Sequence, residues 1–532
     1  MGAFGQAVEG YPFDSLRWID HDCPVSSLSE KPKPFTHAER VQTGVPGLDD
    51  VLGGGLPGGR LYLLHGTPGV GKTTLALQFL LEGVKKREQV LYITLSETRE
   101  EILQVASSHG WTLDGVALYE LSSVEQTLRL EEPNHLYATS DVELEETMRV
   151  LLSEVDRVRP RRVVFDSLSE IRLLAQTAMR FRRQVLSLKQ FFTGRGATVL
   201  LLDDMTAEQD GLLLQSLAHG VLFLNQTASP YGADRRTLRV VKLRGTSYRT
   251  GRHDVVIRTG GIRVFPRLVA AEHRSSFGAE AMSTGVTELD HLLGGGLDRG
   301  AATLLMGPAG TGKSAVAMQL ACAAASRGEH VAMFLFEERL GTFQARAASM
   351  NLPVARYVDE GLIQIRQIDP AEVPPDEFTH LVRVAVERGK AKLLVVDSIS
   401  GYFMAMPERH SITLQLHELL SYAGDQGVAA VLTLAQTGFV GNMQSPVDMS
   451  YLADTVVLFR YFEAGGRVRK ALSVVKKRSG GHEDTIRELG FGSEGIQVGR
   501  PLTGFRGILT GVPMDEREAS DSRRGAPQDD DL

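Results

Sequence analysis

One glycine-rich segment occurs twice in this sequence and constrains the fold more than any other feature. GTPGVGKT spans 66–73 and GPAGTGKS spans 307–314, and both fit the spacing G-x-x-x-x-G-K-[ST]. In such a loop the glycines let backbone N–H groups close around phosphates. The lysine reaches the outer phosphates, and the following hydroxyl holds magnesium. The sequence therefore predicts two phosphate-binding loops.

Each loop lies inside a longer repeated frame. TGVPGLDDVLGGGLPGG at 43–59 reappears as TGVTELDHLLGGGLDRG at 284–300. The loop lysines, Lys72 and Lys313, are separated by the same 241 positions as the two frames. Two chance matches inside a matched frame are not expected from average residue frequencies, so we interpret the chain as a duplicated nucleotide-binding domain.

Length and composition agree with two soluble domains. A chain of 532 residues is too long for one core of ordinary size, and 42% hydrophobic with 23% charged residues is usual for globular proteins. No stretch approaches the roughly 20 apolar residues of a spanning helix, and the N-terminus has no apolar signal region. We expect a cytoplasmic protein with no membrane association.

Two cysteines and the charge balance exclude further classes. Cys23 and Cys322 are too few for a disulfide framework or a cysteine-based zinc site. A net charge of −7 gives no global attraction for nucleic acid, which makes nucleic acid an unlikely partner.

Changes of pattern along the chain predict five segments. Residues 1–38 form a loosely ordered leader, 39–265 the first domain, 266–283 a linker, 284–512 the second domain, and 513–532 a disordered acidic tail.

Within each domain, apolar strand-like runs alternate with amphipathic helical segments, which predicts an α/β fold with a mostly parallel sheet flanked by helices. The predicted strands of the first domain are 61–66, 89–95, 161–167, 197–203, 221–225 and 238–244, and those of the second are 302–307, 330–336, 392–398, 429–435, 455–460 and 472–478.

Acidic residues at strand ends are the first candidates for chemistry. Asp166 and Asp397 each end an apolar strand, where a carboxylate can help to hold magnesium together with the hydroxyls of Thr73 and Ser314. The alternative for either aspartate is a simple N-cap of the next helix.

The next strand end should supply a base that activates the attacking group. The second half has adjacent acids, Glu337 and Glu338, whereas the first half has Ser96 and Glu97 at the same offset. A carboxylate near the γ-phosphate can deprotonate a nucleophile, but a serine hydroxyl is a poor base at neutral pH. We therefore predict Glu97, Glu337 and Glu338 as catalytic; the alternative is that they are acids at a helix start with no catalytic duty.

Each half also ends in a basic strand tip. Lys242 and Arg244 end one such strand, and Lys476 and Arg478 end the other. They are either solvated edge residues or cations that reach the nucleotide of a neighbouring subunit, and the second interpretation requires an oligomer.

The duplicated frame, loops, strand-end acids, DS-[LI]-S strands and basic tips together resemble the KaiC family of double-domain RecA-like ATPases over about residues 36–512. The resemblance implies two tandem RecA-like P-loop NTPase domains and a homohexamer of two stacked rings. It further implies that ATP and Mg²⁺ bind between subunits, that the first ring hydrolyses ATP slowly, and that the second ring phosphorylates itself.

The resemblance also assigns residues. It implies that the four basic tip residues contact ATP across the subunit interface. The nucleotide-binding residues would be Gly66, Thr67, Gly69, Gly71, Lys72, Thr73, Thr74, Gly307, Gly310, Thr311, Gly312, Lys313 and Ser314. Ser450 matches the first phosphoacceptor of the family, whereas Tyr451 replaces the second, and Gln215 stands at the aligned position of the first half.

Three functional hypotheses follow. The first is an ATP-hydrolysing hexamer with serine autokinase activity that acts as a signalling or timing switch. The second is a RecA-like nucleic-acid-binding ATPase, which the acidic balance disfavours. The third is a scaffold in which nucleotide only joins subunits, while the leader or the tail recruits a regulatory protein.

Overall fold

The computed structural model describes residues 39–121, 140–204, 214–229, 231–278, 280–404, 409–438, 449–493, 495–509 and 514–515. The predicted leader, with Cys23, and the predicted tail apart from 514–515 lie outside the described residues.

The first half contains eleven strands and six helices in its described part. The strands are β1 (Arg40–Val41), β2 (Leu56–Pro57), β3 (Leu61–His65), β4 (Val90–Thr94), β5 (Val116–Glu120), β6 (Arg162–Asp166), β7 (Thr198–Asp203), β8 (Gly220–Thr227), β9 (Arg235–Leu243), β10 (His253–Arg258) and β11 (Gly261–Phe265). The helices are α1 (Leu48–Val51), α2 (Lys72–Lys85), α3 (Arg99–Ser108), α4 (Ser140–Val158), α5 (Leu168–Ala175) and α6 (Ala178–Thr193).

The second half follows a short 3₁₀ helix at Ala270–Glu272 and repeats this order, with one additional helix, Val354–Asp359, and one additional strand pair, Phe505–Arg506 with Met514–Asp515. The strands are β12 (Ala281–Met282), β13 (Leu297–Asp298), β14 (Ala302–Pro308), β15 (His330–Leu335), β16 (Ile363–Gln367), β17 (Ala391–Asp397), β18 (Ala429–Gln436), β19 (Thr455–Ala464), β20 (Arg467–Lys477), β21 (Arg487–Gly492), β22 (Gly495–Pro501), β23 (Phe505–Arg506) and β24 (Met514–Asp515). The helices are α7 (Thr287–Leu292), α8 (Lys313–Ser326), α9 (Leu340–Ser349), α10 (Val354–Asp359), α11 (Pro375–Glu387), α12 (Ile399–Met404) and α13 (Arg409–Asp425).

Each half is built around a nine-stranded sheet with one strand order. The first sheet runs β11-β10-β9-β8-β3-β7-β6-β4-β5, and the second runs β22-β21-β20-β19-β14-β18-β17-β15-β16. In the first sheet, β8, β3, β7, β6, β4 and β5 are parallel, and β9, β10 and β11 pair antiparallel at the other edge. In the second sheet, β19, β14, β18, β17, β15 and β16 are parallel, and β20, β21 and β22 pair antiparallel at the other edge. The duplication in sequence is therefore a duplication of topology, and the predicted α/β fold is confirmed.

All six strands predicted in each half are present. The outer strands of both sheets, namely β5, β10, β11, β16, β21 and β22, were not predicted from the sequence. Polar residues interrupt β16 (IQIRQ) and β21 (RELGFG), whereas β5 (VALYE) is largely apolar but only partly buried at the sheet edge.

Helices cover both faces of each sheet. Along β3, Tyr62 and Leu64 join a core with Phe79 of α2, whereas Leu61 and Leu63 face a second core formed with α5 and α6. The period of two along a strand separates these two sets. Two further cores lie on the faces of the second sheet. No helix in the described part of the chain combines the length and apolar character that a membrane span requires.

The repeated frame has a structural role. The N–H and Oγ1 of Thr43 both donate to Asp49 Oδ1 at 2.9 Å, and the N–H of Thr284 donates to Asp290 Oδ1 at 2.7 Å. These bonds fix the chain between the small β1–β2 and β12–β13 pairings and the first helix of each half. The T-G-V-x-x-L-D pattern thus specifies a lead-in to the central strand that carries the loop.

Charged residues join the two halves. Arg258 of β10 forms a bidentate ion pair with Glu377 of α11, at 2.7 and 2.9 Å. Beside it, the N–H of Asp254 donates to Asp376 Oδ2 at 3.1 Å, and the N–H of Asp376 donates to Asp254 Oδ2 at 2.8 Å. The last two strands of the first sheet therefore contact the helix that precedes β17.

Candidate nucleotide-binding sites

The first phosphate loop connects β3 to α2. Its lysine, Lys72, is buried at 6% exposure, and its Nζ donates to the carbonyls of Gly66 and Thr67, both at 2.9 Å. Gly71 precedes the helix with φ of 106°, in the region that favours glycine, and a Cβ there would lie 2.6 Å from Ile257 Cδ1. The loop therefore curls over the start of α2, where free N–H groups and the helix dipole favour phosphate.

The second loop repeats this geometry between β14 and α8. Lys313 Nζ donates to the carbonyls of Gly307 at 2.9 Å and Pro308 at 2.7 Å, and Gly312 has φ of 105°. Burial lowers the pKa of Lys313 to about 8, an effect that the charges of Asp397 and Glu337 oppose. An anionic ligand would favour the charged form of this lysine.

The remaining predicted loop residues differ in how their side chains are used. Gly69 and Gly310 have φ of 78° and 79°. Thr311 Oγ1 donates to the carbonyl of Pro308 at 2.8 Å, while Thr74 Oγ1 lies 3.3 Å from His109 Nε2. The Thr311 side chain therefore stabilises its loop, whereas that of Thr74 contacts the end of α3, and a nucleotide contact of Thr74 would use its backbone N–H.

The predicted magnesium partners are brought together in both halves. Thr73 Oγ1 lies 3.4 Å from Asp166 Oδ2, and Ser314 Oγ lies 3.0 Å from Asp397 Oδ1. A hydroxyl and a carboxylate fit Mg²⁺, which is usually bound by one or two protein oxygens together with phosphates and water. Within the described ranges no cluster of three or more His, Cys, Asp or Glu side chains could hold a metal without such help.

Different residues orient the two aspartates. Tyr92 of β4 donates to Asp166 Oδ2 at 2.5 Å, whereas Thr433 of β18 donates to Asp397 Oδ1 at 2.5 Å. Burial raises the pKa of Asp166, and the hydrogen bond from Tyr92 opposes that shift. Neither donor was predicted from the sequence, because each lies inside an apolar strand where its residue type suggested only packing.

The two predicted acids of the second half have different partners. Ser398 Oγ donates to Glu337 Oε1 at 2.8 Å, and Arg346 Nη2 contacts Glu338 Oε2 at 2.7 Å. Burial raises the pKa of Glu338, and the charge of Arg346 opposes it. Both acids line an open cavity of about 380 Å³ together with Ser314. Glu337 is thus oriented by a neutral donor, while Glu338 is neutralised by a cation.

Glu97 is the corresponding acid of the first half. Its backbone is fixed by Thr94, whose Oγ1 donates to the carbonyl of Glu97 at 2.7 Å and accepts from its N–H at 3.0 Å. Its Oε2 is buried and has no hydrogen-bond partner among the described atoms. Burial, followed by the charge of Asp166, raises the pKa of Glu97 to about 7. A carboxyl with such a pKa suits proton transfer near neutral pH.

The basic tip of the first half contacts the segment that precedes β8. Lys242 Nζ donates to the carbonyl of Gln215, and Arg244 Nη2 donates to the carbonyl of Ser216 at 3.0 Å. Burial lowers the pKa of Lys242, and the neighbouring Arg244 adds to that shift.

The basic tip of the second half makes the matching contacts with the segment that precedes β19. Lys476 Nζ donates to the carbonyls of Ser450 at 2.6 Å and Ala453 at 2.7 Å, and Arg478 Nη2 donates to the carbonyl of Tyr451 at 2.8 Å. The two tips therefore bind equivalent backbone positions, with Ser450 in one half and Gln215 in the other.

Comparison with known proteins agrees with this geometry. The family model described as "ATPase: KaiC" matches residues 41–269 and again 282–503. The circadian clock oscillator protein KaiC of Parathermosynechococcus lividus is 26% identical over 500 residues, which cover 93% of this chain and 90% of that protein. The protein of the same name from Synechococcus elongatus is 25% identical over 484 residues, covering 89% and 92%.

The matched ranges include both phosphate loops, the aspartates predicted to hold magnesium and both basic tips. With two copies of the family domain filling most of its length, the chain belongs to the KaiC family of ATPases.

Proposed function

We propose that the chain is a cytoplasmic homohexamer of two stacked rings that binds Mg-ATP at both phosphate loops. The first domain, at 39–265, hydrolyses ATP, and the second, at 284–512, also transfers phosphate to Ser450. The phosphorylation state then acts as a signalling or timing switch, which a regulatory protein reads at the leader or the tail. The observation that carries this proposal is the recurrence of lysine, hydroxyl and strand-end aspartate at matching positions in the two halves.

Phosphoryl transfer in the second half begins at Ser450. Ser450 Oγ attacks the γ-phosphorus, the bond from that phosphorus to the bridging oxygen of the β-phosphate breaks, and ADP leaves. Glu337 accepts the hydroxyl proton, which suits an acid oriented by Ser398 at 2.8 Å. Lys313 and Mg²⁺, held through Ser314 and Asp397, would balance the charge of the phosphates.

The basic tips support the proposed subunit arrangement. Lys476 and Arg478 bind backbone carbonyls around Ser450, so one cationic cluster and the acceptor segment move as a unit. A neighbouring subunit's nucleotide would meet both at once. Cations supplied from outside a nucleotide pocket stabilise the charge on a transferring phosphoryl group.

Incubation with γ-labelled ATP tests the two activities separately. We expect released labelled phosphate and a labelled protein whose phosphopeptide, by mass spectrometry, contains Ser450. Ser450→Ala should abolish the label and preserve phosphate release, and Gln215→Ala serves as the matched control in the first half. Release without label would leave an ATPase and remove the kinase. Neither release nor label, under conditions where ATP binds, would reject both activities.

A nucleotide-gated scaffold is the second candidate for the first half. Ser96 stands where the second half has Glu337, so the first pocket has only one of the two predicted acids. In that case nucleotide bound at Lys72 would join subunits without being hydrolysed, and phosphate release would depend entirely on the second loop.

A further inference from the structure

An additional acid contacts the lysine of the first phosphate loop. Asp204, directly after β7, places Oδ1 at 2.7 Å from Lys72 Nζ. The lysine side chain is 6% exposed and that of Asp204 is 27% exposed, so the pair is only partly screened by solvent. Lys72 therefore has an anionic partner in addition to the carbonyls of Gly66 and Thr67.

The second half has alanine at this position. In the first sheet, Asp203 lies opposite His65, which places Asp204 opposite Gly66; in the second sheet, Gly307 lies opposite Ala435.

The neighbouring helices support the correspondence between Asp204 and Ala435. Ser169 Oγ lies 3.5 Å from Asp204 Oδ2, and Ser400 Oγ accepts from the N–H of Ala435 at 3.2 Å.

The two lysines consequently differ in charge environment. Lys313 donates to two loop carbonyls, and no ion pair to it occurs in the part of the chain that the structure describes. The outer phosphates of a nucleotide use this same ammonium group. At the first loop they would meet a carboxylate already in contact with it, and like charges at that distance repel.

We propose that Asp204 is an affinity-determining residue of the first pocket, which competes with the outer phosphates for Lys72 and makes nucleotide binding there weaker than the loop alone would allow. The second pocket lacks this competitor. The inference rests on the proposed function, since it requires both loops to bind nucleotide. It is specific to outer phosphates, so AMP, which has none, should be insensitive to Asp204.

The test uses the full chain with Lys313→Ala, which leaves the first loop as the site measured. A fluorescent ADP analogue is titrated in the presence of Mg²⁺, with and without Asp204→Asn. We expect the asparagine variant to bind roughly fivefold to tenfold tighter, the scale of one partly screened ion pair. Asp204→Glu keeps the charge and should stay near the parent affinity. Because the effect is electrostatic, it should shrink as salt is raised.

The reciprocal experiment installs the acid in the second half. In the Lys72→Ala chain, Ala435→Asp should weaken binding of the same analogue by a similar factor, and Ala435→Asn controls for side-chain size. If Ala435→Asp and Ala435→Asn weakened binding of the analogue equally, the cause would be the packing of β18 rather than charge, and the proposal would be overturned.

The outcomes separate this inference from the proposed function. Equal or weaker binding by Asp204→Asn, with the parent chain still binding, would overturn the role of Asp204 alone. Loss of phosphate release without tighter binding would make Asp204 a catalytic group instead, and would also overturn the proposal. Absence of binding by the parent chain would reject nucleotide binding itself, and with it the proposed function.

Discussion

Asp166 and Asp397 occupy equivalent strand ends, but their hydrogen-bond donors come from different neighbouring strands. Tyr92 lies on β4, whereas Thr433 lies on β18 on the other side of the aspartate strand. Position 333, which corresponds to Tyr92 at the repeat offset, is methionine. Each half therefore orients its predicted magnesium-binding aspartate independently, and the two can be perturbed one at a time.

Replacing Tyr92 by Phe should impair only the first half. The substitution removes the donor to Asp166 and keeps the ring, so the buried carboxylate loses a bond that opposes the rise in its pKa. Loss of a hydrogen bond to a metal ligand typically costs about 10- to 100-fold in metal affinity or activity. In the Lys313→Ala chain, we expect phosphate release to need at least about tenfold more Mg²⁺ for half-maximal rate.

The same substitution in the Lys72→Ala chain is the control, and there phosphate release should not change. Thr433→Val in that chain should reproduce the Mg²⁺ effect in the second half. An unchanged Mg²⁺ requirement after Tyr92→Phe would mean that the tyrosine only packs.

The raised pKa of Glu97 predicts how phosphate release by the first half depends on pH. Its pKa is raised to about 7, chiefly by burial, and a general base acts in its deprotonated form. Phosphate release by the first half should therefore increase as pH rises through about 7 and level off above it. Glu97→Gln should lower the rate about 100-fold and remove the pH dependence. Rates measured from about pH 5.5 to about pH 8.5 in the Lys313→Ala chain provide the check, and a flat profile for the parent would contradict the assignment.

At the scale of elements, the contact between β10 and α11 contains two facing carboxylates. Burial raises the pKa of Asp254 to about 6, with Glu377 adding to the shift and Arg235 opposing it. Burial and the charge of Asp254 raise the pKa of Asp376 well above its ordinary value. The junction between the halves therefore retains protons that an unfolded chain would have released.

This junction should stabilise the folded chain less at neutral than at mildly acidic pH. Because the folded state binds these protons more tightly than the unfolded state, stability falls as pH rises from the ordinary Asp pKa of 3.8 through about 6. A tenfold difference in proton affinity between the folded and unfolded states corresponds to about 1.4 kcal/mol. Asp254→Asn keeps an acceptor for the N–H of Asp376 and removes one titrating group. The variant should therefore gain thermal stability relative to the parent at about pH 7.5 and not at about pH 5.

Scanning calorimetry of the parent and the variant at both pH values measures this difference. Comparing the two proteins cancels the other carboxyl groups, which titrate in both. A stability difference that is the same at both pH values would contradict the proposed titration.

The central part of each sheet could be predicted from sequence, and its periphery could not. The buried parallel strands are continuous apolar runs, and the glycine-rich loops have a fixed spacing, so both can be recognised in the amino-acid sequence alone. The orienting donors Tyr92, Thr433 and Ser398 depend on which strands become neighbours, which only the topology specifies. Asp204 is the second residue of the pair Asp203-Asp204. Aligning the two halves would have shown that the second half has alanine, Ala435, at the position of Asp204.

For the whole molecule, duplication with divergence gives two pockets of one design and different chemistry. The first pocket has Asp204 on its lysine and one predicted catalytic acid, Glu97; the second has Glu337 oriented by Ser398 and the acceptor candidate Ser450. A pocket with one predicted catalytic acid suits the proposed role of joining subunits. The second pocket contains the residues proposed above for phosphoryl transfer. We infer that the first half contributes more to assembly and the second more to catalysis.

Disabling each loop in turn tests this division. Lys72→Ala should shift the chain from hexamer toward smaller species in the presence of Mg-ATP, because nucleotide at the first loop would bridge subunits through Lys242 and Arg244. Lys313→Ala should leave most of the hexamer, lower labelling of Ser450 by about 100-fold or more, and remove the second half's share of phosphate release while the first half's share remains. Native mass spectrometry gives the masses, and circular dichroism controls for folding. A Lys72→Ala chain that assembles like the parent would refute the division, and a parent that remains a monomer with saturating Mg-ATP while hydrolysing it would refute nucleotide sharing between subunits.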